Sequence, residues 1–373
     1  MSETPLCPEC GVPTQFINNH LWLNGGIVVQ SGDQEHRMVM VECDNLDPLF
    51  KEIEEIIGVS IERIVIETKR RATRDYLNRI IPDDVKKLVQ SKQMDVVPLV
   101  EAVNVTGHVL GYGDSRLADI RYENEPEDYV IEQIDEPYSL LLWCGDLAGS
   151  SEAVTSRDHD VSYRKLSPGL LEIKAWPSPR PEELQARLAT EEFTYVEGDI
   201  ELERCPVCGG PAALSAYRWD TEKGTIEMME TRRRVAMLGP AYLEAVFDEL
   251  ERELGEDIPR IVVEAQRRFT KKGLYSAEEL GDEEQFRQLL AVRGFGNLRE
   301  MKVDEGGFRM RLQNPTLHLL LAGLVQGYFE TVTGGESDVD WEFTEDGTLV
   351  LRVAPRDKPV SAGSAPDSGH RLD

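Results

Sequence analysis

The stretch IERIVIETKRRATRDYL, residues 61–77, returns later in the chain as IPRIVVEAQRRFTKKGL, residues 258–274. In both stretches an Ile-Val-rich run leads into a glutamate, a pair of arginines and a threonine at the same spacing. Internal similarity at a fixed offset is the sequence signature of a repeated structural unit. The two stretches therefore predict that one fold is built twice in this chain.

Three further pairs of segments follow the same order along the chain. The motif CPECG begins at Cys7 and CPVCGG at Cys205, GYG begins at Gly111 and GFG at Gly294, and residues 152–174 align without a gap to residues 330–352. We divide the chain into a first repeat, residues 1–198, and a second repeat, residues 199–355. The remaining residues 356–373 are rich in Pro, Gly and Ser, a composition that predicts a disordered tail.

Each repeat has the pattern of an α+β module. After the cysteine pair, short runs of alternating apolar and polar residues predict a small antiparallel sheet. Residues 46–58 and 240–255 carry apolar residues at helical spacing and end on Gly, a typical helix terminus. The segment with the paired arginines is predicted to be a second helix or a strand-to-helix unit. A polar helical stretch, a Gly-aromatic-Gly turn, two strands, an apolar helix and a hairpin complete the unit. We expect two tandem copies related by pseudo-twofold symmetry, each with a CPxCG knuckle at its start.

The composition is that of a water-soluble globular chain. Of its 373 residues, 40% are hydrophobic and 29% are charged, and the formal net charge is −28. So acidic a surface repels phosphate groups, which argues against nucleic-acid and anionic-membrane partners. The N-terminal residues lack the pattern of a secretory signal, and six cysteines with two CxxC pairs favour metal binding over disulfides. We therefore expect a cytoplasmic protein.

The second half of the second repeat, residues 294–353, carries a recognisable combination of features. It contains the turn at Gly294, a strand pair that leads to residues 314–315, a helix with the small residues 322–323, and the closing hairpin. This combination resembles the 4-vinyl-reductase domain family, which shares its fold with trafficking-complex subunits of the Bet3 type. The first repeat keeps a weaker version over residues 111–174. Cysteines that many family members have near the last hairpin are absent here, so the resemblance implies no metal or redox role there.

The resemblance implies an apolar ligand pocket between the helices and the sheet. We expect that pocket in the second repeat, lined by the helix LHLLLAGLVQGYF, residues 317–329. The first repeat has the charged insertion RYENEPEDY, residues 121–129, which leads us to expect that its pocket has been lost.

The two CPxCG motifs are the clearest chemical signal. Each supplies two thiolates, and two facing knuckles give the tetrahedral four-sulfur coordination that suits zinc or, less commonly, iron. In the first repeat Cys43 or His20 could complete a site, but residues 209–317 of the second repeat contain neither His nor Cys. The expected metal ligands, brought together within the chain or across a homodimer, are Cys7, Cys10, Cys205 and Cys208. The alternative is that both motifs are retained turns or free thiols without a site.

No catalytic motif is present, and no catalytic residue is assigned. The chain has no GxSxG, HExxH or Walker sequence. The paired arginines beside Glu67 and Glu264 fit helix-surface ion pairs better than an anion site. We therefore expect a non-catalytic small-molecule-binding or sensory protein with a structural zinc site and an apolar ligand. An interaction scaffold or assembly factor with a protein partner is the alternative, and an accessory protein of tetrapyrrole metabolism is a third reading. The chain could be a monomer or a homodimer.

Overall fold

The computed structural model describes residues 4–180, 194–274, 282–304 and 306–356. The helices and antiparallel strands in these ranges confirm the α+β class. All of the predicted disordered tail except Arg356 lies outside the described residues.

The first half of the chain contains six helices and seven strands in the described ranges. They are α1 (Thr14–Asn19), β1 (His20–Leu23), β2 (Ile27–Gln30), β3 (Arg37–Glu42), α2 (Cys43–Ile57), α3 (Glu62–Ile80), α4 (Asp83–Gln90), α5 (Val97–Leu110), β4 (Asp114–Arg121), β5 (Tyr129–Asp135), α6 (Leu140–Thr155), β6 (His159–Lys165) and β7 (Leu170–Pro177).

The second half presents the same series again. A 3₁₀ turn (Ala212–Ala216) precedes β8 (Tyr217–Asp220), β9 (Thr225–Met228), β10 (Arg234–Leu238), α7 (Pro240–Leu254), α8 (Ile258–Phe269), α9 (Glu283–Arg293), β11 (Asn297–Asp304), β12 (Gly307–Gln313), α10 (His318–Thr333), β13 (Ser337–Phe343) and β14 (Leu349–Pro355). A short π-helical turn (Thr270–Leu274) follows α8. The helix α4 has no counterpart among the described residues of this half.

Two four-stranded antiparallel sheets, one in each half, have the same strand order. The first runs β4-β5-β7-β6 and the second runs β11-β12-β14-β13. The registers match as well, because Glu132 lies opposite Ile173 in the first sheet and Met310 lies opposite Leu351 in the second. Equivalent positions in the two repeats can therefore be read directly from the strand pairing.

A third sheet is shared by the two repeats. Its order is β1-β2-β3-β10-β9-β8, so each repeat contributes three strands. The strands β3 and β10 pair antiparallel at its centre, with Met40 opposite Met237. These two residues occupy equivalent positions in the aligned repeats, and an antiparallel pair centred on equivalent residues is what a twofold arrangement requires.

The helices that follow the shared sheet pack across the repeats. Helix α2 ends at Gly58, whose φ of 75° is the left-handed conformation typical of a helix stop. It lies against α8 of the second repeat, and α7 of the second repeat lies against α3 of the first. The two repeats thus bury their apolar helix faces in one common core.

The hairpins of the shared sheet also contact the opposite repeat. Trp22 donates from Nε1 to the carbonyl of Val292 at 2.9 Å, and the equivalent Trp219 donates to the carbonyl of Val109 at 3.3 Å. Both carbonyls belong to the last turn of a helix, where backbone oxygens lack partners within the helix. Each hairpin therefore completes a helix end that belongs to the other repeat.

None of the helices in the described ranges is long and apolar enough to cross a membrane.

Candidate functional site

The two cysteine knuckles adopt the same backbone conformation. The amide of Cys7 donates to the carbonyl of Val12, and the amide of Cys205 donates to the carbonyl of Gly210, each at 2.8 Å. In each turn the glycine after the second cysteine has a positive φ, 72° at Gly11 and 74° at Gly209. A side chain is strained in that conformation, which explains the glycine in both motifs.

The four predicted cysteines converge at one point between the repeats. The sulfurs of Cys7 and Cys205 are 3.8 Å apart, those of Cys10 and Cys208 are 3.5 Å apart, and all four lie within 4.8 Å of one another. A tetrahedral ion with metal–sulfur bonds of about 2.3 Å holds its sulfurs about 3.8 Å apart. The sulfur geometry therefore fits a four-coordinate metal ion with only small movements.

The protonation chemistry of the cluster also suits a cation. Backbone N–H groups of Cys10 and Glu9 favour the thiolate of Cys7 and lower its pKa to about 7. Burial raises the pKa of Cys10 to about 12 and also raises the pKa of Cys208. Four close sulfurs cannot all ionise unless a positive charge compensates them, and a bound metal ion supplies that charge. The four cysteines could hold a metal ion.

The other cysteines and His20 do not complete this cluster. Cys43 and Cys144 are buried in the common helical core, apart from the cluster that contains Cys7. His20 is hydrogen-bonded through Nδ1 to the carbonyl of Phe16 at 2.7 Å. The expectation that the two knuckles need each other agrees with this arrangement.

A cavity of about 560 Å³ lies in the first repeat. Its wall is formed mainly by α3, α4, α5, α6 and the strands β4 and β5, and residues of β2, β3, β6 and β7 complete it. The second repeat contributes Gly239 and Tyr242. Among the apolar residues of the wall are Leu77, Ile81, Val85, Leu99, Val103 and Leu147. Its volume lies within the range of small-molecule sites, roughly 300–1,000 Å³.

The expected position of this cavity, in the second repeat, was wrong. Residues on the inner faces of the second repeat are larger than their first-repeat equivalents and are themselves buried. The equivalent pairs, first repeat to second, are Gly107 to Leu290, Val130 to Phe308, Ser150 to Tyr328 and Ser151 to Phe329. These buried side chains occupy volume in the second repeat where the first repeat has smaller residues.

The charged insertion did not remove the first-repeat cavity. Arg121, Tyr122, Asp128 and Tyr129 from that insertion lie in the cavity wall. Asp128 accepts from the guanidinium groups of Arg121 and Arg157, both at 3.3 Å, and Arg121 also meets Glu125 at 2.5 Å. Two carboxylates therefore balance the two guanidinium groups at this side of the space.

A second polar group in the wall is centred on Asp146. Its carboxylate accepts from Lys69 at 3.0 Å and from the hydroxyls of Thr73 and Tyr138, each at 2.7 Å. The Lys69 ammonium also lies over the ring of Tyr242, 4.9 Å from its centre. This carboxylate is therefore both charge-compensated and hydrogen-bonded.

Unlike Asp146, the carboxylate of Glu132 on β5 has no positively charged partner among the described residues. The residue is 3% exposed and lines the cavity, and its Oε1 accepts a hydrogen bond from Asn104 Nδ2 at 3.1 Å. Burial raises the pKa of its carboxyl to about 7, with the negative charge of Asp146 adding to the shift. No sequence motif marks Glu132, although its equivalent in the second repeat, Met310, differs from it in charge.

The wall also contains a hydrogen-bond donor without a partner. Trp143 is 5% exposed and lines the cavity, and its Nε1 finds no acceptor among the described residues. A buried N–H without an acceptor is costly, which is typical of a site that a ligand or water completes.

The paired arginines have structural roles. The fully buried Arg70 binds Glu67 at 3.1 Å and also reaches Glu152, while Arg267 makes the same contacts with Glu264 and Glu330 in the second repeat. The second arginine of each pair crosses to the other repeat. Arg71 meets Glu249 at 2.9 Å, and Arg268 meets Glu52 at 3.1 Å. In each repeat the two arginines therefore pair with carboxylates of the protein itself.

The chain shows only weak similarity to proteins of known structure. No protein-family model matches the chain, and no curated protein matches it. A solved vinyl-4-reductase family protein from Methanocaldococcus jannaschii is 17% identical, with 31% of this chain and 78% of that one covered and a TM-score of 0.22. A Cs H-NOX mutant is 15% identical over 33% of this chain and 76% of its own, and a second H-NOX family structure is 14% identical over the same shares, both with TM-scores of 0.23. TM-scores this low carry no argument about function.

Proposed function

We propose that this protein is a non-catalytic small-molecule-binding protein, with the ligand held in the first repeat. The observation that carries the proposal is the first-repeat cavity of about 560 Å³ with its mainly apolar wall. A well-packed core has few voids larger than a water molecule, so an apolar space of this size favours a ligand site. The polar groups at Asp146 and Glu132 would orient the ligand within it.

We further propose that the chain arose by tandem duplication and that a zinc ion joins the two knuckles. The repeated element order and the symmetric pairing at Met40 support the duplication. Four convergent thiols suit zinc in particular, because closed Cys₄ sites are typical of structural zinc. The six cysteines form no disulfide, which suits a reducing compartment such as the cytoplasm.

Filling the cavity tests the binding proposal. Ser151→Phe introduces in the first repeat the side chain that its equivalent, Phe329, buries in the second. The neutral fluorescent probe N-phenyl-1-naphthylamine should bind the wild-type protein and bind this variant at least about tenfold more weakly, because the phenyl ring occupies the space. Fluorescence titration measures the affinity.

The matched control is Thr331→Phe, which adds the same ring at an exposed position of α10. It should bind the probe like the wild type. Native mass spectrometry of the purified protein adds a direct search for a retained ligand. If the protein binds no probe and retains no ligand, the cavity proposal fails and the interaction scaffold becomes the better reading.

A further inference from the structure

Glu132 is a carboxylic acid placed where the fold does not need one. Its equivalent in the second repeat is Met310, at the same position of a strand in a sheet with the same strand order. Met310 is fully buried. The second repeat thus shows that an apolar side chain completes this architecture. Because burial of an ionisable group is costly without a partner charge, a purely structural account predicts methionine or leucine here.

The partners of Glu132 leave its charge uncompensated. Its hydrogen-bond donor is the neutral amide of Asn104, and in the described parts of the chain it forms no ion pair. The nearby Lys69 ammonium is engaged by Asp146 at 3.0 Å, and Asp146 itself contributes negative potential at Glu132. Above the pKa of Glu132, a bound ligand can therefore supply the positive charge that the described residues do not.

The side chains around Glu132 indicate which kind of cation would fit the cavity. The wall is otherwise rich in aliphatic and aromatic side chains, among them Leu99, Val103, Val130 and Leu147. A small hydrated ion would find too few ligands there, since hard cations require several oxygens. An organic cation with an apolar body satisfies both parts of the site.

We propose that the first-repeat cavity takes an apolar molecule carrying a protonated amine, with the ammonium group on Glu132 and Asn104 and the hydrocarbon part along the aliphatic wall. This inference rests on the proposed binding function and adds the chemical class of the ligand. The ammonium donates to the Glu132 carboxylate, and the amide oxygen of Asn104 can accept a further N–H.

Three probes of equal chain length separate the head groups. Decylamine, decanol and decanoate are each used to displace N-phenyl-1-naphthylamine at pH 8, below micelle-forming concentrations. Decylamine should displace the probe at concentrations at least about tenfold lower than decanol does, because a hydrogen-bonded charge pair is worth more than a neutral hydrogen bond. Decanoate should be the weakest of the three.

Glu132→Gln keeps the size of the side chain and the hydrogen bond from Asn104 and removes the charge. In this variant decylamine should lose its advantage over decanol, while decanol itself binds as before. Glu132→Met, which copies Met310, should do the same and provides a second variant if the glutamine change disturbs folding. Glu127→Gln removes an exposed charge outside the cavity and should retain the amine preference.

The outcomes separate the two proposals. If the probe binds but decanol or decanoate matches decylamine, or if Glu132→Gln retains the amine preference, the amine assignment is wrong and the binding site stands. If neither the fluorescent probe nor any of the three compounds binds, the binding proposal and this inference fail together.

Discussion

At the scale of single residues, Glu132 stands out because it weakens the fold that contains it. Burial raises the pKa of its carboxyl from 4.5 to about 7. A folded-state pKa above the unfolded value means that the ionisation of Glu132 has no effect on stability at low pH, where both states are protonated. The cost grows as the pH rises from about 4.5 to about 7 and is then constant.

Glu132→Gln should therefore raise the free energy of unfolding at pH 8, by on the order of 3 kcal/mol, and change it little at pH 4. Urea denaturation at the two pH values measures the difference. Glu127→Gln, at an exposed position, is the control and should show no such pH dependence. Equal effects of Glu132→Gln at both pH values would show that its burial does not shift the titration in this way.

At the scale of secondary-structure elements, the notable feature is the exchange of contacts between repeats. The hairpin that contains Trp22 caps α9 of the second repeat, and the hairpin that contains Trp219 caps α5 of the first. Glycines allow the close approach, since a Cβ at Gly294 would lie 2.6 Å from the Met38 carbonyl oxygen and one at Gly111 would lie 2.6 Å from that of Val235. The stability of a helix end in one repeat should therefore depend on a tryptophan of the other repeat.

Trp22→Phe removes the indole N–H and leaves the Val292 carbonyl without its donor. We expect a loss of on the order of 1–2 kcal/mol and faster amide hydrogen exchange in α9, which belongs to the opposite repeat. Trp219→Phe is the reciprocal change and should speed exchange in α5. Hydrogen exchange read out by mass spectrometry checks both, and faster exchange confined to the mutated hairpin would refute the crosswise capping.

At the scale of the whole molecule, the cysteine cluster and the shared sheet join the two repeats. The pair Cys7–Cys205 links positions 198 residues apart, and β3–β10 pairing makes one sheet from both repeats. Because the unfolded chain has no preformed four-sulfur site, the free energy of metal binding at this cluster contributes directly to folding.

Cys205→Ser should therefore release the metal and destabilise both repeats together by several kcal/mol. The wild-type protein should contain about one metal equivalent per chain by elemental analysis, and the variant almost none. Its urea unfolding should remain a single transition at a lower midpoint, because the shared sheet prevents one repeat from unfolding alone. Chelation of the wild type should have the same effect, and re-addition of zinc should reverse it. A variant that keeps its metal, or one in which only the second repeat unfolds, would contradict this account.

The sequence by itself determined the features that depend on local pattern and on the repeat. Helix stops at Gly58 and Gly255 and the α+β class follow from periodicity and from backbone conformations that glycine favours. The sequence also predicts that Cys7 and Cys205 meet, within the chain or across a homodimer, because two thiolates cannot complete a tetrahedral site and residues 209–317 contain neither His nor Cys. The structure brings them together within one chain.

Only the tertiary structure decided where the cavity lies and which repeat each hairpin supports. The cavity volume depends on the combined side-chain volumes of residues from many helices and strands, among them Gly107, Val130 and Ser151. The pattern within any one segment therefore does not predict it. The burial of Glu132 also results from packing between distant elements. A glutamate on an alternating strand is expected to face solvent, but here the packed helices cover it. Local periodicity fixes the form of each element, whereas packing between distant elements decides which faces enclose a space.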